Sequence, residues 1–128
     1  MKDLISHIKV SPALAPAVQS AATTGAAIDT VGFASLVFAI HSGAIVGDGD
    51  FAVKVQHSDT TTSGDFVDAP AAAVQGSVPA TLEAASAYKL AYVGSRRYAR
   101  IAVTKAGGTS IALGATAIQG HASLAPVA

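Results

Sequence analysis

The densest group of chemically capable side chains is Arg96-Arg97-Tyr98-Ala99-Arg100, which follows Tyr92-Val93-Gly94-Ser95. Arginine keeps its charge at physiological pH and donates paired, charge-assisted hydrogen bonds, so this spacing suits recognition of carboxylates on a neighbouring molecule. The plainer outcome is a solvated turn with one arginine laying its stem over Tyr98. A second polar run, Ser58-Asp59-Thr60-Thr61-Thr62-Ser63-Gly64-Asp65, follows Val55-Gln56-His57 and precedes Phe66. Its Asp and Ser side chains bond local backbone and its Gly supplies positive φ, which makes a turn. Arg96, Arg97, Tyr98 and Arg100, with Asp59 and Asp65 from the second run, are the candidate partner-binding residues.

Other chemistries lack their residues. Asp48-Gly49-Asp50 opens like a calcium loop, but Ala52 and Asp59 stand where an EF-hand needs a further oxygen ligand and a Glu, so a hairpin turn is the expectation. His7, His41, His57 and His121 are not paired at zinc-motif spacing. No glycine group opens a helix as a phosphate cradle, no Gly-x-Ser-x-Gly elbow occurs, and Glu83 is the sole Glu. The expectation is a protein that is not an enzyme and needs no metal or cofactor.

Eight basic and eight acidic residues cancel, which argues against nucleic acid and anionic membranes as partners, although Tyr92 and Tyr98 are capable of stacking on bases. Asp48, Asp50, Asp59, Asp65 and Asp68 fall in one stretch, and Arg96, Arg97, Arg100 and Lys105 in another, so a bipolar surface suited to assembly is expected. Of the 65 hydrophobic residues 29 are Ala, so the core is thin and burial against other subunits is expected to add stability. Cysteine is absent, which rules out disulfides; Asn is absent, which rules out glycosylation sequons; Trp is absent, which removes the commonest sugar-stacking platform. Residues 1–18 contain no continuous apolar run, so neither a signal peptide nor export is expected.

Positioning falls to strands. Leu36, Phe38 and Ile40 alternate with small or polar residues, as do Phe51, Val53 and Val55, then Ala99, Ile101 and Val103, then Ile111, Leu113, Ala115 and Ala117. Turns are expected at 47–50 and 58–65, with a short returning strand at 66–68 and a hairpin at Gly107-Gly108. Residues 69–87 read as a loop holding a short strand or one helical turn at 80–87. The architecture is an all-β antiparallel β-sandwich or jelly roll of about six to eight strands. Its parts are an extended N-terminal arm and lead-in strand over 1–27, a sandwich domain over 28–120 and an extended C-terminal tail over 121–128.

The sequence resembles small virion proteins of tailed bacteriophages over nearly its whole length. The resemblance is carried by Lys9-Val10, Ala13-Leu14-Ala15-Pro16-Ala17-Val18, Ile28-Asp29-Thr30-Val31-Gly32-Phe33, Gln56-His57-Ser58-Asp59, Tyr92 to Arg100, Gly120-His121 and Ala125-Pro126-Val127. It implies a capsid decoration, or cement, protein: a homo-oligomer made in the host cytoplasm that binds the major capsid protein lattice from outside, with a neck or tail role as the variant. A partial likeness to discoidin-type jelly rolls rests on His57 to Phe66 and Arg97 to Ile101. It implies the alternative of a host-surface glycan-binding sandwich.

Overall fold

The period-two alternation is realised as strands throughout. The computed structural model describes residues 3–122, so the tail residues 123–128 lie outside the described part. Its strands are β1 (Lys9–Gln19), β2 (Thr23–Thr24), β3 (Ile28–Asp29), β4 (Phe33–Val46), β5 (Asp50–Ser58), β6 (Val67–Asp68), β7 (Val74–Gln75), β8 (Ala87–Tyr92), β9 (Tyr98–Gly107) and β10 (Ser110–Ala122). Sheet A has the order β1-β10-β4-β8-β7; sheet B has β2-β9-β5-β6, with β3 also on β9. All pairings are antiparallel, and the fold is the expected all-β sandwich. Among the described residues six strands have six residues or more and four have only two, which is why periodicity alone counts fewer than these ten.

Register joins the two sheets into one object. β4 pairs with β10 from Phe33↔Ala122 to Val46↔Ser110, and β5 pairs with β9 from Asp50↔Gly107 to Ser58↔Tyr98. The second ladder begins where the first ends, so residues 33–58 and 98–122 form one antiparallel ribbon folded over on itself. The N-terminal segment follows the other side of the same ribbon: β1 pairs with β10 from Lys9↔Gln119 to Gln19↔Ile111, then Thr23↔Val103 and Ile28↔Ala99 lie along β9. Residues 9–19 are extended, and they lie within sheet A as its edge strand.

The fold in the ribbon corrects two sequence expectations, the hairpins at Gly107-Gly108 and at Asp48-Gly49-Asp50. Gly107-Gly108 does not close a hairpin; it carries the chain from β9 in sheet B to β10 in sheet A, and Gly47-Asp48-Gly49 likewise carries β4 into β5. A hairpin pairs the strands on either side of its turn, whereas here each strand pairs across to the other corner. The corners are stacked, with the Thr109 N–H donating to the Gly47 carbonyl at 3.2 Å. Gly108 has φ +75°, and a Cβ there would stand 2.2 Å from the Asp48 carbonyl oxygen.

Between the sheets lie the side chains that the alternation selects: Leu36, Phe38 and Ile40; Phe51, Val53 and Val55; Ala99, Ile101 and Val103; Ile111, Leu113, Ala115 and Ala117. Leu82 adds a plug from the loop before β8, held by its N–H on the Phe51 carbonyl at 2.9 Å. That insertion, with Ala85 at φ 49°, keeps residues 80–86 irregular. The one 3-10 turn between β6 and β8 is at Ala71–Ala73, and the short strand is β7.

Because Gly108 faces backbone that belongs to the other corner, Gly108→Ala should cost about 2–4 kcal/mol in a urea melt. Gly64→Ala, whose Cβ would meet nothing within 4 Å, should stay within about 1 kcal/mol of wild type. Equal effects would refute the stacked-corner account.

Candidate functional site

Ribbon register decides what the arginine turn meets. Tyr98 opens β9 and pairs with Asp29 on one side and Ser58 on the other, so the turn before it lies between Asp29 and Asp59. Arg97 makes a bidentate pair with Asp29, Nε to Oδ1 at 3.1 Å and Nη2 to Oδ2 at 2.9 Å. Hydrogen bonds from Arg97 are the main cause holding the Asp29 carboxyl below its usual 3.8. Arg96 reaches Asp59 at 3.3 Å, in an ion pair that is largely exposed. The backbone is tied as well: Thr30 donates to the Arg97 carbonyl from its N–H at 2.9 Å and from its hydroxyl at 2.7 Å. The carboxylates that suit Arg96 and Arg97 are therefore supplied by this chain.

Charge pairing within the chain also corrects the expectation of a bipolar surface. The acid-rich and base-rich stretches fall on adjacent strands, β5 and β9, and their neighbours. Lys54 bonds Asp68 at 3.0 Å, beside Gln56, which donates to the same carboxylate at 3.0 Å. Asp65 accepts from the Thr60 hydroxyl at 2.7 Å and braces its own turn.

Arg100 differs most from its expected place. The 58–66 turn folds back over the outer face of sheet B and covers it, leaving the residue 8% exposed. Its Nε donates to Gln56 Oε1 at 2.9 Å and its Nη1 to Ser63 Oγ at 3.1 Å, while its guanidinium lies 4.2 Å from the centre of the Phe66 ring. The arginine that lies over the half-buried Tyr98 is Arg97, at 5.1 Å. Phe66 thus serves as the lid on a cation, a role that its position after a polar turn does not advertise.

Beneath the arginine turn lies a buried polar pair that the sequence does not single out. The Tyr92 hydroxyl from sheet A meets His57 Nδ1 from sheet B at 2.8 Å, with the rings edge-on. The same hydroxyl accepts the Arg96 N–H at 3.1 Å, so the turn wraps around it. Gly94 permits that approach: a Cβ there would stand 2.4 Å from the Tyr92 oxygen. Burial, aided by the nearby Arg96 charge and opposed by Asp59, lowers the His57 pKa. Gln119 is a second buried tie, donating to the Asp29 carbonyl at 2.9 Å. Among the described residues no three His, Cys, Asp or Glu side chains form a cluster able to hold a metal ion.

The two outer faces of the sandwich differ. Sheet B presents Lys54, Gln56, Asp68 and Thr104. Sheet A presents cross-strand rows set by register: Val10–Ile118–Val37–Ala91, then Pro12–Thr116–Ala39–Lys89, then Gly114–His41–Ala87. Lys89 is the only charge in those rows. A hollow of about 460 Å³ lies beside Pro12 and Thr116 of the second row, lined by Pro16, His41, Gly43, Ala112 and Gly114. Another of about 470 Å³ is lined by Val37 and Ile118 of the first row together with Ser35 and Gly120, and is walled by Leu4 and His7. No protein-family model matches the chain, and no curated protein matches it.

Arg100→Ala should cost about 2–4 kcal/mol in denaturant melts, because it removes two hydrogen bonds and a stacked cation together. Arg96→Ala, whose ion pair is exposed, should cost less than about 1 kcal/mol. His57 has a pKa below its ordinary 6.5 when folded, so the unfolded chain takes up its proton first. Its contribution to stability is whole above that value and declines as pH falls below it. His57→Gln should flatten the dependence of melting temperature on pH between roughly 7.5 and 5.5, and an unchanged slope would assign it elsewhere.

Proposed function

We propose that this chain is a non-enzymatic structural protein of a tailed-phage virion, a decoration protein that binds the outside of the capsid and stabilises it. The observation that carries the reading is the outer face of sheet A, whose rows are half-exposed and bear a single charge and whose edge strand exposes Val10 and Val18, on a domain whose arginine charges are largely satisfied within the chain. Apolar side chains left at the surface beside one another, as Val10, Val37 and Ile118 are, mark faces that other molecules cover. The resemblance of its sequence fragments to small virion proteins supplies the setting.

The mechanism is thermodynamic. A protein that binds the assembled lattice of the major capsid protein, and not its free subunits, shifts the assembly equilibrium by mass action. Copies that associate with one another while each holds a capsomer add the gain of multivalent attachment. The glycan-binding alternative has one feature in its favour, a shallow polar groove of about 440 Å³ on sheet B lined by Thr23, Thr24, Lys54, Gln56 and Thr104. None of its lining residues is aromatic.

Purified chain mixed with undecorated phage heads should co-sediment with them saturably, should not bind free capsid subunits, and should raise the temperature at which heads release DNA. Electron cryomicroscopy of virions should then show it across the head lattice. Its presence only at the neck or tail, or saturable binding on a glycan array without head binding, would overturn the reading.

A further inference from the structure

We infer that His57, Tyr92 and the Arg96 backbone form a proton-operated latch: the Gly94-Ser95-Arg96 turn is closed over one end of the sandwich while His57 is neutral, and opens when His57 takes up a proton. The three groups come from three places. His57 is near the end of β5 in sheet B, Tyr92 ends β8 in sheet A, and Arg96 lies in the turn that carries the chain from β8 to β9. His57 and Tyr92 are 8% and 5% exposed, whereas residues 93–97 are all exposed. The turn whose N–H reaches the buried hydroxyl is thus what separates the pair from water.

Proton counting fixes the direction of each bond. A tyrosine hydroxyl has one proton to give, and its oxygen also accepts. The Arg96 N–H donates to that oxygen at 3.1 Å, which leaves the hydroxyl proton for His57 Nδ1 at 2.8 Å. Nδ1 accepts only in the neutral imidazole that carries its proton on Nε2. A second proton makes both ring nitrogens donors, so Nδ1–H and the tyrosine O–H then compete for the same line. If the oxygen turns to accept from Nδ1–H, its own proton loses its partner, and among the described residues the hydroxyl bonds no third group. A buried donor without an acceptor is costly, and water supplies the acceptor once the turn lifts.

Charge acts in the same direction. His57 faces Arg96 from the turn and Asp59 from the 58–66 turn. Its ladder neighbours, Ala99 on β9 and Val67 on β6, carry no charge, and Arg100 and Asp68 beside them are engaged with Gln56 on the outer face of sheet B. Leu36 and Val74, the partners of Tyr92, add none from sheet A. Burial and the Arg96 charge outweigh Asp59 and hold the His57 pKa below its ordinary 6.5. Protons therefore bind better to the open form, whose imidazole is solvated. The open population grows as pH falls below 6.5 and levels off once the closed form is protonated too.

The turn is free to move without disturbing either ladder. Residues 94–96 belong to no strand. On one side Val93 is pinned by its N–H on the Ala73 carbonyl at 2.7 Å, and on the other Arg97 is pinned by Thr30 and Asp29. Between those points the Arg96 N–H on Tyr92 is the inward tie and the exposed Arg96–Asp59 pair the outward one. Opening breaks the inward tie and leaves both sheets paired.

Nitrogen NMR of the imidazole rings in the full chain at about pH 8 should show His57 with its proton on Nε2, in a signal distinct from those of the exposed His7, His41 and His121. Between about pH 7.5 and 5.5 the Arg96 amide, corrected for its intrinsic exchange rate, should lose hydrogen-exchange protection about 5-fold with the midpoint of the His57 titration. The amides of Ile40 and Ile101 in the core should keep theirs. Tyr92→Phe should leave the Arg96 amide unprotected throughout that range, and His57→Gln, which does not titrate, should make its protection independent of pH. Should either variant fail to fold, the wild-type titration decides alone. A proton on Nδ1 at about pH 8 overturns the inference, as does Arg96 protection that ignores the His57 titration. Loss of Arg96 protection together with the core amides overturns it too, since that is unfolding of the whole domain and not the opening of a turn.

Discussion

The hydrogen-bond ladder that passes through the stacked glycine corners is the constraint on which the rest of this molecule depends. Because 33–58 and 98–122 pair along both sides of the bend, with single irregularities between Ile111 and Leu113 and between Asp50 and Phe51, the choice of partner for a residue on one strand settles the partners of those that follow it. That register delivers Tyr98 to a position between Asp29 and Ser58, and so places Arg97 beside Asp29 and Arg96 beside Asp59. It also aligns Val37 with Ile118 across the outer face. A slip of one residue would turn every core side chain outward, and the burial of Phe38, Ile40, Phe51, Ile101 and Ile111 opposes it.

Local patterns were legible before the structure, and long-range pairings were not. Alternation at Leu36-Phe38-Ile40, Phe51-Val53-Val55, Ala99-Ile101-Val103 and Ile111 to Ala117 identified the core side of four strands, since period two is a property of each strand alone. The turn over 58–65 and the short return expected at 66–68, realised as Val67–Asp68, were readable from local turn chemistry, although Gly64 does not take the positive φ expected of it. Gly107-Gly108 was misassigned because a glycine pair signals a reversal without saying whether the strands that follow share a sheet. The two-residue strands β2, β3, β6 and β7 exist only through their partners and have no period to detect.

The candidate site divides along the same line. The arginine cluster was visible as a cluster, but its carboxylate at Asp29 lies far away in sequence and meets it only through β3 pairing with β9. His57 and Tyr92 sit on different sheets, so their hydrogen bond has no signature in spacing. The outer face of sheet A did leave a trace. Positions 37 and 118 hold Val and Ile where a water-facing sheet would carry polar side chains, though weighing that needs the assurance that the other side is already the core.

The folded ribbon also dictates a schedule. During synthesis, residues 33–58 emerge long before 98–122, so β4 and β5 must wait with their principal edges unpaired while the intervening chain is made. Pairings this distant carry a large loop-closure cost and are slow to form, and exposed apolar strand edges invite pairing with other chains in the interval. β8, β6 and β7 have partners that precede β9, so they are available to shield the free edges of β4 and β5 on the far side from the missing strand. The short strands that contribute least to the finished ladder therefore matter most while it is incomplete, and β9 and β10, made after the strands they join, insert at interior positions of the two sheets and not at their rim.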